Sequence, residues 1–582
     1  MKNLKITLGI SDSHDSGACF FIGDKLVYAV SEERLNRKKN YSGFPFLSIS
    51  EGLKFLKIKP DDINNIACAG TSRFADEITT NNNLKNQDGT IDKKIILISF
   101  LSKFIFFQKI FKSKIFLFFN TTAQFLFRNK RCNEIRAHLK KININIKNIN
   151  LYDHHDCHVF SAYCSSTFNN ALIFSNDGMG DGVCSKVFFI KKNKAFCLKV
   201  NPFYNSLGML YGYATDICGF KKNHHAGKTT GLSAHGSSNE TFKIFSKYFK
   251  WNENKGIYSN IGPVFLECLT NLKKDLIKFK KEDIAAGIQK ITDIAIINQV
   301  KFFTKLFKTR NICFTGGLHA NVLTNLRVSE NFPRKKIFVY PAMADTGLPV
   351  GAACLDIKRR TKKIIGIRLN NYYLGSKFSD SQIKKFLIEK YIKFDTPKNL
   401  NSIIAKYLYN NKIVGRFSGK FEFGPRALGN RSILYNAKSF KINRLLNKRL
   451  KRTETMPFAP VILDKFSKNY IKNYNKNNID SYKNMTMCCH ASNLCKKNSP
   501  GAVHIDGTLR PQVLTKKYNP EYYDLLLKYY KLTKIPLLIN TSFNLHEEPI
   551  VTSPEQAYRS FVESKIDALV LNKYLILKKN NA

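Results

Sequence analysis

The sequence predicts an α/β protein in two parts, a first half built on a duplicated nucleotide-binding fold and a separate C-terminal α/β domain. Three observations carry that prediction. Two strand–turn–strand units, one at the N-terminus and one near residue 177, have turns that hold Asp and Gly. A helix-spaced histidine pair precedes the second unit. A charged composition shift follows at 357–370. The length of 582 residues exceeds one ordinary domain, and a hydrophobic content of 43% is enough for real cores.

In order along the chain, Ile6 to Ile10 reads as an apolar strand, Ser11 to Gly17 as a polar turn, and Ala18 to Val30 as a strand stretch interrupted by Gly23-Asp24. The same grammar returns at Ala171 to Ile190. Just before it stands Asp153-His154-His155-Asp156-Cys157-His158. Residues four apart share a helix face, so His154 and His158 can reach one ion. Asp153 is the candidate N-cap, and Val159-Phe160 begin the apolar face. Asp177, in Asp177-Gly178-Met179-Gly180-Asp181-Gly182, completes a His, His, Asp set with positions left open for substrate oxygen. Backbone N–H groups of such a turn, together with a metal, can hold phosphates. The competing reading is a histidine-rich surface helix, which a chain with 12 His makes uncommon.

Cys313-Phe314-Thr315-Gly316-Gly317 then ends a strand with a glycine pair. Asp345-Thr346-Gly347 leads into a helix of small residues. Paired glycines let backbone approach a ligand closely. The run Lys358 to Lys363 reads as a linker over 357–372, between a first domain at 1–356 and a second at 373–582.

The second domain's dense motifs are Gly415 to Lys420, Glu422 to Ser432, Lys451 to Glu454, His504 to Arg510 and Asn540 to Asn544. Arg and Lys near glycine turns and Ser/Thr/Asn clusters are the materials of an anion site. For Arg426 or Arg431 taken singly, the reading as part of a solvated basic turn wins. Arg510 after an Asp-Gly turn, and Asn540-Thr541-Ser542 after the apolar stretch Pro536 to Ile539, shift the balance. Ligands of α/β sheets collect at the carboxyl ends of strands.

The formal net charge of +51 admits a nucleic-acid or membrane partner. The Lys and Asn excess is spread along the whole chain, however, and favours a biased composition overlaid on anionic small substrates, with nucleic acid as the lesser reading. Fourteen scattered cysteines without a CxxC pair suit a reducing, cytoplasmic setting. The N-terminus lacks the apolar core of a signal peptide. Lys103, Lys109, Lys112 and Lys114 interrupt the apolar region Ile95 to Phe127, so no uncharged span reaches the ~18–20 residues a membrane helix needs. Amphipathic helices packed on a domain are expected there, with peripheral membrane contact as the second reading. The insertion from Ala75 to Arg131 carries no recognisable signature, and the size suits a symmetric dimer.

Taken together, the motifs resemble the O-carbamoyltransferase family of nodulation factors, aminoglycosides and other natural products. Ser11 to Ala18 resembles its opening turn, and Ser31-Glu32-Glu33-Arg34-Leu35-Asn36-Arg37-Lys38-Lys39 with Phe44-Pro45 its second block. The likeness continues through the histidine motif, Asp177-Gly178, Ser206-Leu207-Gly208 with Tyr211, Gly227-Lys228, Gly231-Leu232, Gly316-Gly317 with Asn321, Asp345, and the Gly424 to Ser432 and Asn540 to Asn544 motifs. The resemblance implies an actin-like (ASKHA) domain joined to a YrdC-like domain. It implies that the second makes carbamoyl-adenylate from ATP and carbamoyl phosphate, and that the first passes the carbamoyl group to a hydroxyl of a small molecule or glycan.

In that scheme His14 is the base, oriented by Asp12 or Asp15, and Lys39 polarises the carbamoyl oxygen. His154, His158, Asp177 and Asp345 gather a divalent metal, iron(II) first and Mg2+ second. Gly178, Gly316, Gly317 and Asn321 contact the nucleotide. Arg426, Arg431, Lys451 and Arg510 neutralise the phosphates of carbamoyl phosphate and ATP, with Asn540, Thr541 and Ser542 hydrogen-bonding nearby. Ala226, Thr230 and Glu547 depart from the family pattern, the last replacing a common glycine. The alternatives are a tRNA carbamoyl- or threonylcarbamoyl-type modification enzyme and a non-catalytic nucleotide- or RNA-binding protein.

Overall fold

The computed structural model describes residues 5–71, 101, 104–146, 148–222, 224–450 and 458–578. The described chain divides into two compact units, one of residues 1–26, 42–44 and 59–367 and the other of 27–41, 45–58 and 368–582.

Two five-stranded sheets form the frame of the first unit, except that residues 27–31 of one outer strand group with the second. The first runs β3-β2-β1-β4-β5, from β1 (Ile6–Ser11), β2 (Gly17–Ile22), β3 (Lys25–Ser31), β4 (Ile63–Ala69) and β5 (Ile149–Tyr152). The second comprises β6 (Asn170–Gly180), β7 (Val183–Lys191), β8 (Lys194–Pro202), β11 (Asn311–Thr315) and β12 (Lys336–Val339), in the order β8-β7-β6-β11-β12. A separate hairpin pairs β9 (Phe249–Asn252) with β10 (Ile257–Asn260). In each large sheet the first strand pairs antiparallel with its hairpin partner and parallel with a later strand. The two sheets therefore share one topology, and the duplication expected from the repeated hairpin grammar is present. The inner strands are buried almost throughout, as parallel strands covered on both faces must be.

Seven helices matter to the site and its surroundings. They are α1 (Ile105–Phe111), α2 (Lys114–Lys140), α3 (His154–Ser165), α4 (Leu207–Ile217), α5 (Lys281–Leu306), α6 (Val322–Asn331) and α7 (Leu348–Thr361). Helices α3 and α7 pack with Ala67, Ala69, Cys157, Leu348 and Ala352 in one apolar cluster. A Cβ on Gly351 would strike the Cys157 carbonyl oxygen, so the small residues seen in the sequence are what allow the two backbones to meet.

The charged run read as the start of a linker belongs to α7 as far as Thr361. Asp356, fully buried, accepts from Arg360 Nε at 2.7 Å and from the Tyr152 hydroxyl at 2.9 Å, and Lys362 closes the helix at a φ of 60°. Tertiary partners for the cations decided this, and periodicity could not show them. A second difference is that residues 27–41 and 45–58, expected within the first domain, group with the second unit.

The second unit holds a seven-stranded mixed sheet, ordered β19-β15-β20-β14-β13-β21-β22. Its strands are β13 (Val414–Phe417), β14 (Arg431–Tyr435), β15 (Pro460–Leu463), β19 (Gln512–Leu514), β20 (Leu537–Ser542), β21 (Ala568–Leu571) and β22 (Tyr574–Leu577). A small sheet joins β16 (Ile471–Lys472), β17 (Cys489–Ala491) and β18 (Thr508–Leu509). The early segment is tied into this unit by its arginines. Arg34 donates to the Gly424 carbonyl at 2.6 Å, and Arg37 to the carbonyls of Pro549 at 2.6 Å and Ile550 at 2.8 Å.

Near that anchor Glu547 sits at a φ of 65°, a left-handed conformation that favours glycine. Glu547→Gly is expected to stabilise the protein by about 0.5–1 kcal/mol in denaturant unfolding. An unchanged or lowered midpoint would show that the loop carries no strain.

A candidate metal centre on the duplicated sheet

Asp153 caps α3, its side chain accepting from the Asp156 N–H at 2.9 Å, and this fixes the start of the helix that carries both histidines. His154 and His158 are buried on one face of α3, their rings 4.8 Å apart. Asp177 arrives from the far end of β6, where the pairing with β7 becomes irregular. Asp345 arrives from the turn just before α7. Asp177 Oδ2 lies 3.2 Å from His154 Nε2 and 3.1 Å from His158 Nε2. Asp345 Oδ1 lies 3.6 Å and 3.4 Å from the same nitrogens. One ligand atom from each of the four residues falls within 4.8 Å of the others.

Burial opposes charge on His154, but Asp345 and Asp177 outweigh it and push its pKa up to about 10. Burial likewise acts to raise the Asp177 pKa, but the two imidazoles hold it well below the ordinary carboxylate range. Two nitrogens and two carboxylates converging in a buried spot fit a transition-metal ion, which would replace the protons shared among them.

The surrounding shell explains the glycines. Asp177 Oδ1 accepts from the N–H of Gly178 at 2.7 Å and of Gly317 at 3.0 Å. Gly316 adopts a φ of 90°, and a Cβ there would strike the Asn176 carbonyl oxygen. Gly178 has no protein atom within 4 Å of where a Cβ would stand, leaving its backbone open to approach. Ser206 caps α4 and donates to the Gly178 carbonyl at 2.5 Å, fastening that helix to the acidic turn.

Three participants escaped the sequence reading. Asp181 accepts from the N–H of His154 at 2.9 Å and of Thr71 at 3.0 Å, so the second acid of the glycine turn braces the helix start. Thr315 Oγ1 lies 3.4 Å from His158 Nδ1, orienting the ring from behind. His155 sits between Ser175 Oγ at 2.8 Å and the Val183 carbonyl at 2.9 Å, and burial lowers its pKa to about 3. It is a neutral packing residue. The repeated Asp of the glycine turn could have flagged Asp181, whereas nothing in spacing marked Thr315.

Asn321 caps α6 by accepting from the Thr324 N–H at 3.1 Å and donates to Gln289 at 2.8 Å. Gln289 and Thr324 both donate to Asp293 of α5, at 2.8 Å and 2.6 Å. Burial pushes the Asp293 carboxyl up to about 6. A raised carboxyl favours the fold in its protonated form, so this contribution is full below about pH 4, falls as pH rises and is gone above about pH 6. Asp293→Asn is therefore expected to gain about 1–2 kcal/mol relative to the parent at pH 7.5 and nothing at pH 4. Unfolding midpoints at the two pH values check this, and a parallel profile would contradict it.

His14 Nδ1 lies 3.5 Å from Asp15 Oδ1, both side chains half-buried. Asp12, the other expected partner, is engaged elsewhere. It is buried and receives both Arg131 amino groups, Nη1 to Oδ2 at 3.0 Å and Nη2 to Oδ1 at 2.6 Å. Burial alone would lower the Arg131 pKa, but Asp12 outweighs it and raises it. Of the two acids expected to orient His14, Asp15 lies beside its Nδ1 and Asp12 is paired with Arg131. Arg131 comes from α2, the end of the uninterpreted insertion, and a pair 119 positions apart leaves no local signal.

In the second unit Lys39 is exposed, and Arg426 and Arg510 are half-buried. Arg431 is fully buried. Its guanidinium donates to the carbonyls of Ser418 at 2.9 Å, Asn430 at 2.9 Å and Gly419 at 3.0 Å, and lies 3.6 Å over the Phe417 ring. Burial lowers its pKa to about 9. It shapes the glycine-rich loop from behind, together with Glu422, whose Oε1 accepts the N–H groups of Leu428, Asn430 and Arg431 at 2.8, 2.8 and 3.1 Å. Asn540 donates to Gln512 at 2.7 Å, and Asn540, Thr541 and Ser542 pair with Leu434, Ile433 and Ser432. Lys451 lies outside the described residues.

Fold and site together define a two-unit α/β protein with a candidate His-His-Asp-Asp cation centre on a duplicated five-stranded topology. Residues 6–354 match the family model described as carbamoyltransferase N-terminus, and residues 405–578 match carbamoyltransferase C-terminus. The chain belongs to the carbamoyltransferase family and is a transferase. It is similar to an uncharacterised protein of Methanocaldococcus jannaschii, 31% identical over 98% of this chain and 99% of that one. It is also similar to nodulation protein NolNO of Sinorhizobium fredii, 27% identical over 97% of this chain and 79% of the relative. Nodulation protein NolO of Bradyrhizobium diazoefficiens is 28% identical over 73% and 79%. Among solved structures, the activator of 2-hydroxyisocaproyl-CoA dehydratase from Clostridium difficile with bound ADPNP aligns at 14% identity and a TM-score of 0.32, over 62% of this chain and 100% of that one. Among the described residues no helix is long and apolar enough to cross a membrane.

Proposed function

We propose that this carbamoyltransferase is an ATP-dependent O-carbamoyltransferase acting on a hydroxyl of a small molecule or glycan. Carbamate, released from carbamoyl phosphate by water with loss of phosphate, attacks the α-phosphorus of ATP and expels pyrophosphate. The acceptor hydroxyl then attacks the carbamoyl carbon of the adenylate, AMP leaves, and the hydroxyl proton passes to the protein. We read the first unit as the actin-like transfer domain and the second as the YrdC-like adenylate-forming domain. The observation that carries the proposal is the convergence of His154, His158, Asp177 and Asp345 in a chain of this family.

A divalent ion bound there would supply Lewis acidity toward phosphate and carbonyl oxygens. An imidazole-bearing donor set suits iron(II) better than Mg2+, which prefers six oxygens. The chain's own contributions are distinct. Gly178 and the Gly316-Gly317 pair let backbone approach the nucleotide, and Asn321 fixes the helix start behind them. His14 takes the acceptor proton at Nε2 while Asp15 holds Nδ1. Arg426, Lys451 and Arg510 neutralise phosphate charge, Lys39 polarises the carbamoyl oxygen, and Thr541 and Ser542 donate hydrogen bonds. Arg431 acts by holding the loop that carries Arg426, and Asn540 by holding the strand that carries Thr541 and Ser542.

The test is pyrophosphate and AMP release by iron-loaded protein given ATP and carbamoyl phosphate, alone and with sugars, aminoglycosides or tRNA. Pyrophosphate release that requires carbamoyl phosphate is the expected result, and the acceptor that accelerates AMP release identifies the substrate class. Acceleration by tRNA, falling steeply with salt through counterion release, would replace the small-molecule reading. No turnover dependent on carbamoyl phosphate would remove the adenylate scheme.

A further inference from the structure

From Lys93 to Asn133 the sequence has ten Phe, nine Lys or Arg, and no Asp or Glu. The described parts of this stretch turn large apolar side chains to the outside. Ile105 is 73% exposed and Phe106 68% on α1, and Leu126 is 70% exposed and Phe127 60% on α2. Phe104 and Ile110 are exposed beside the first pair, and Lys109, Arg128 and Lys130 are exposed among them. Scattered apolar residues are ordinary on a surface, but adjacent ones among cations mark an interaction face. Seven residues of helix are too few to be stable alone. Helix α1 is held to the body at its end, where Lys112 Nζ donates to the carbonyls of Asn260 at 3.2 Å and Gly262 at 2.6 Å. Burial lowers the pKa of that lysine, which is spent as an anchor and leaves the outer face to the other cations.

We propose that this two-helix insertion docks on an anionic lipid surface. Phe104, Ile105, Phe106 and Ile110 enter the headgroup boundary, and Lys109, Arg128 and Lys130 meet lipid phosphates. Aromatic and aliphatic residues interleaved with Lys and Arg are the composition that binds such an interface. A second copy of the chain is a poor occupant, since it would bring the same acid-free, cationic segment against itself in a protein of net charge +51. The inference does not depend on carbamoyl transfer.

Vesicle flotation of the full chain tests it, with phosphatidylcholine alone and with phosphatidylglycerol added, at low and high salt. Binding is expected only with the anionic lipid and should weaken at high salt. Ile105→Glu with Phe106→Glu should reduce it by more than about tenfold, and Lys109→Glu with Lys130→Glu by about tenfold. Leu126→Glu with Phe127→Glu provides a second apolar test should the first pair fail to fold. Equal binding to neutral vesicles, no flotation, or unaltered binding by the folded variants would overturn the proposal. So would an oligomer, seen by light scattering, that Ile105→Glu with Phe106→Glu dissociates while the parent fails to float.

Discussion

Replacing His154 and His158 together by alanine is expected to remove bound metal and to lower carbamoyl transfer by more than about a hundredfold. Outer-shell partners alone are worth about 10–100-fold in metal affinity or activity, and these two side chains supply half of the donor set. Without them only the carboxylates of Asp177 and Asp345 remain of the four donors, too few to hold a transition-metal ion tightly. The measurement is metal content by mass spectrometry beside turnover, with thermal unfolding to confirm that the variant is folded. A folded variant that kept stoichiometric metal, or kept full turnover without it, would sink the metal centre. Stripping the parent with a chelator should reproduce the loss, and adding iron(II) back should restore it.

A His14→Asn variant is expected to form carbamoyl-adenylate at the parent's rate while transferring the carbamoyl group about 100- to 10,000-fold more slowly, the usual worth of a positioned general base. The separation of the two readouts is the point. Pyrophosphate release without acceptor reports the first half-reaction, and AMP release driven by acceptor reports the second. Because Asp15 lies beside His14 Nδ1, Asp15→Asn should show the same pattern with a smaller loss. A His14→Asn variant with normal transfer would require another base.

Helix spacing was enough to pair His154 with His158, because one turn puts both imidazoles on one face whatever the rest of the chain does. The hairpin grammar around Gly17 and Gly178 predicted a repeated unit, since alternating apolar runs and Asp-Gly turns are local facts, and both sheets carry that topology. Asp345 entered through resemblance, not spacing, as it lies far along the chain from the histidines it approaches. The basic residues of the second unit show the limit of local reading. Arg431 looked like Arg426 in the sequence, yet Arg431 is fully buried among carbonyls and an aromatic ring whereas Arg426 is half-buried.

By itself, then, the sequence determined the α/β class, the duplication, the histidine pair and the family likeness, all of which depend on short-range periodicity or on motif order. Tertiary structure alone decided that Asp12 belongs to Arg131, that Asp181 braces the start of α3, that the run after Ile357 ends a helix, and that residues 27–41 group with the second unit. Those outcomes turn on which distant groups meet in a low-dielectric interior. There a buried charge must find a partner, and its position in the chain does not say which.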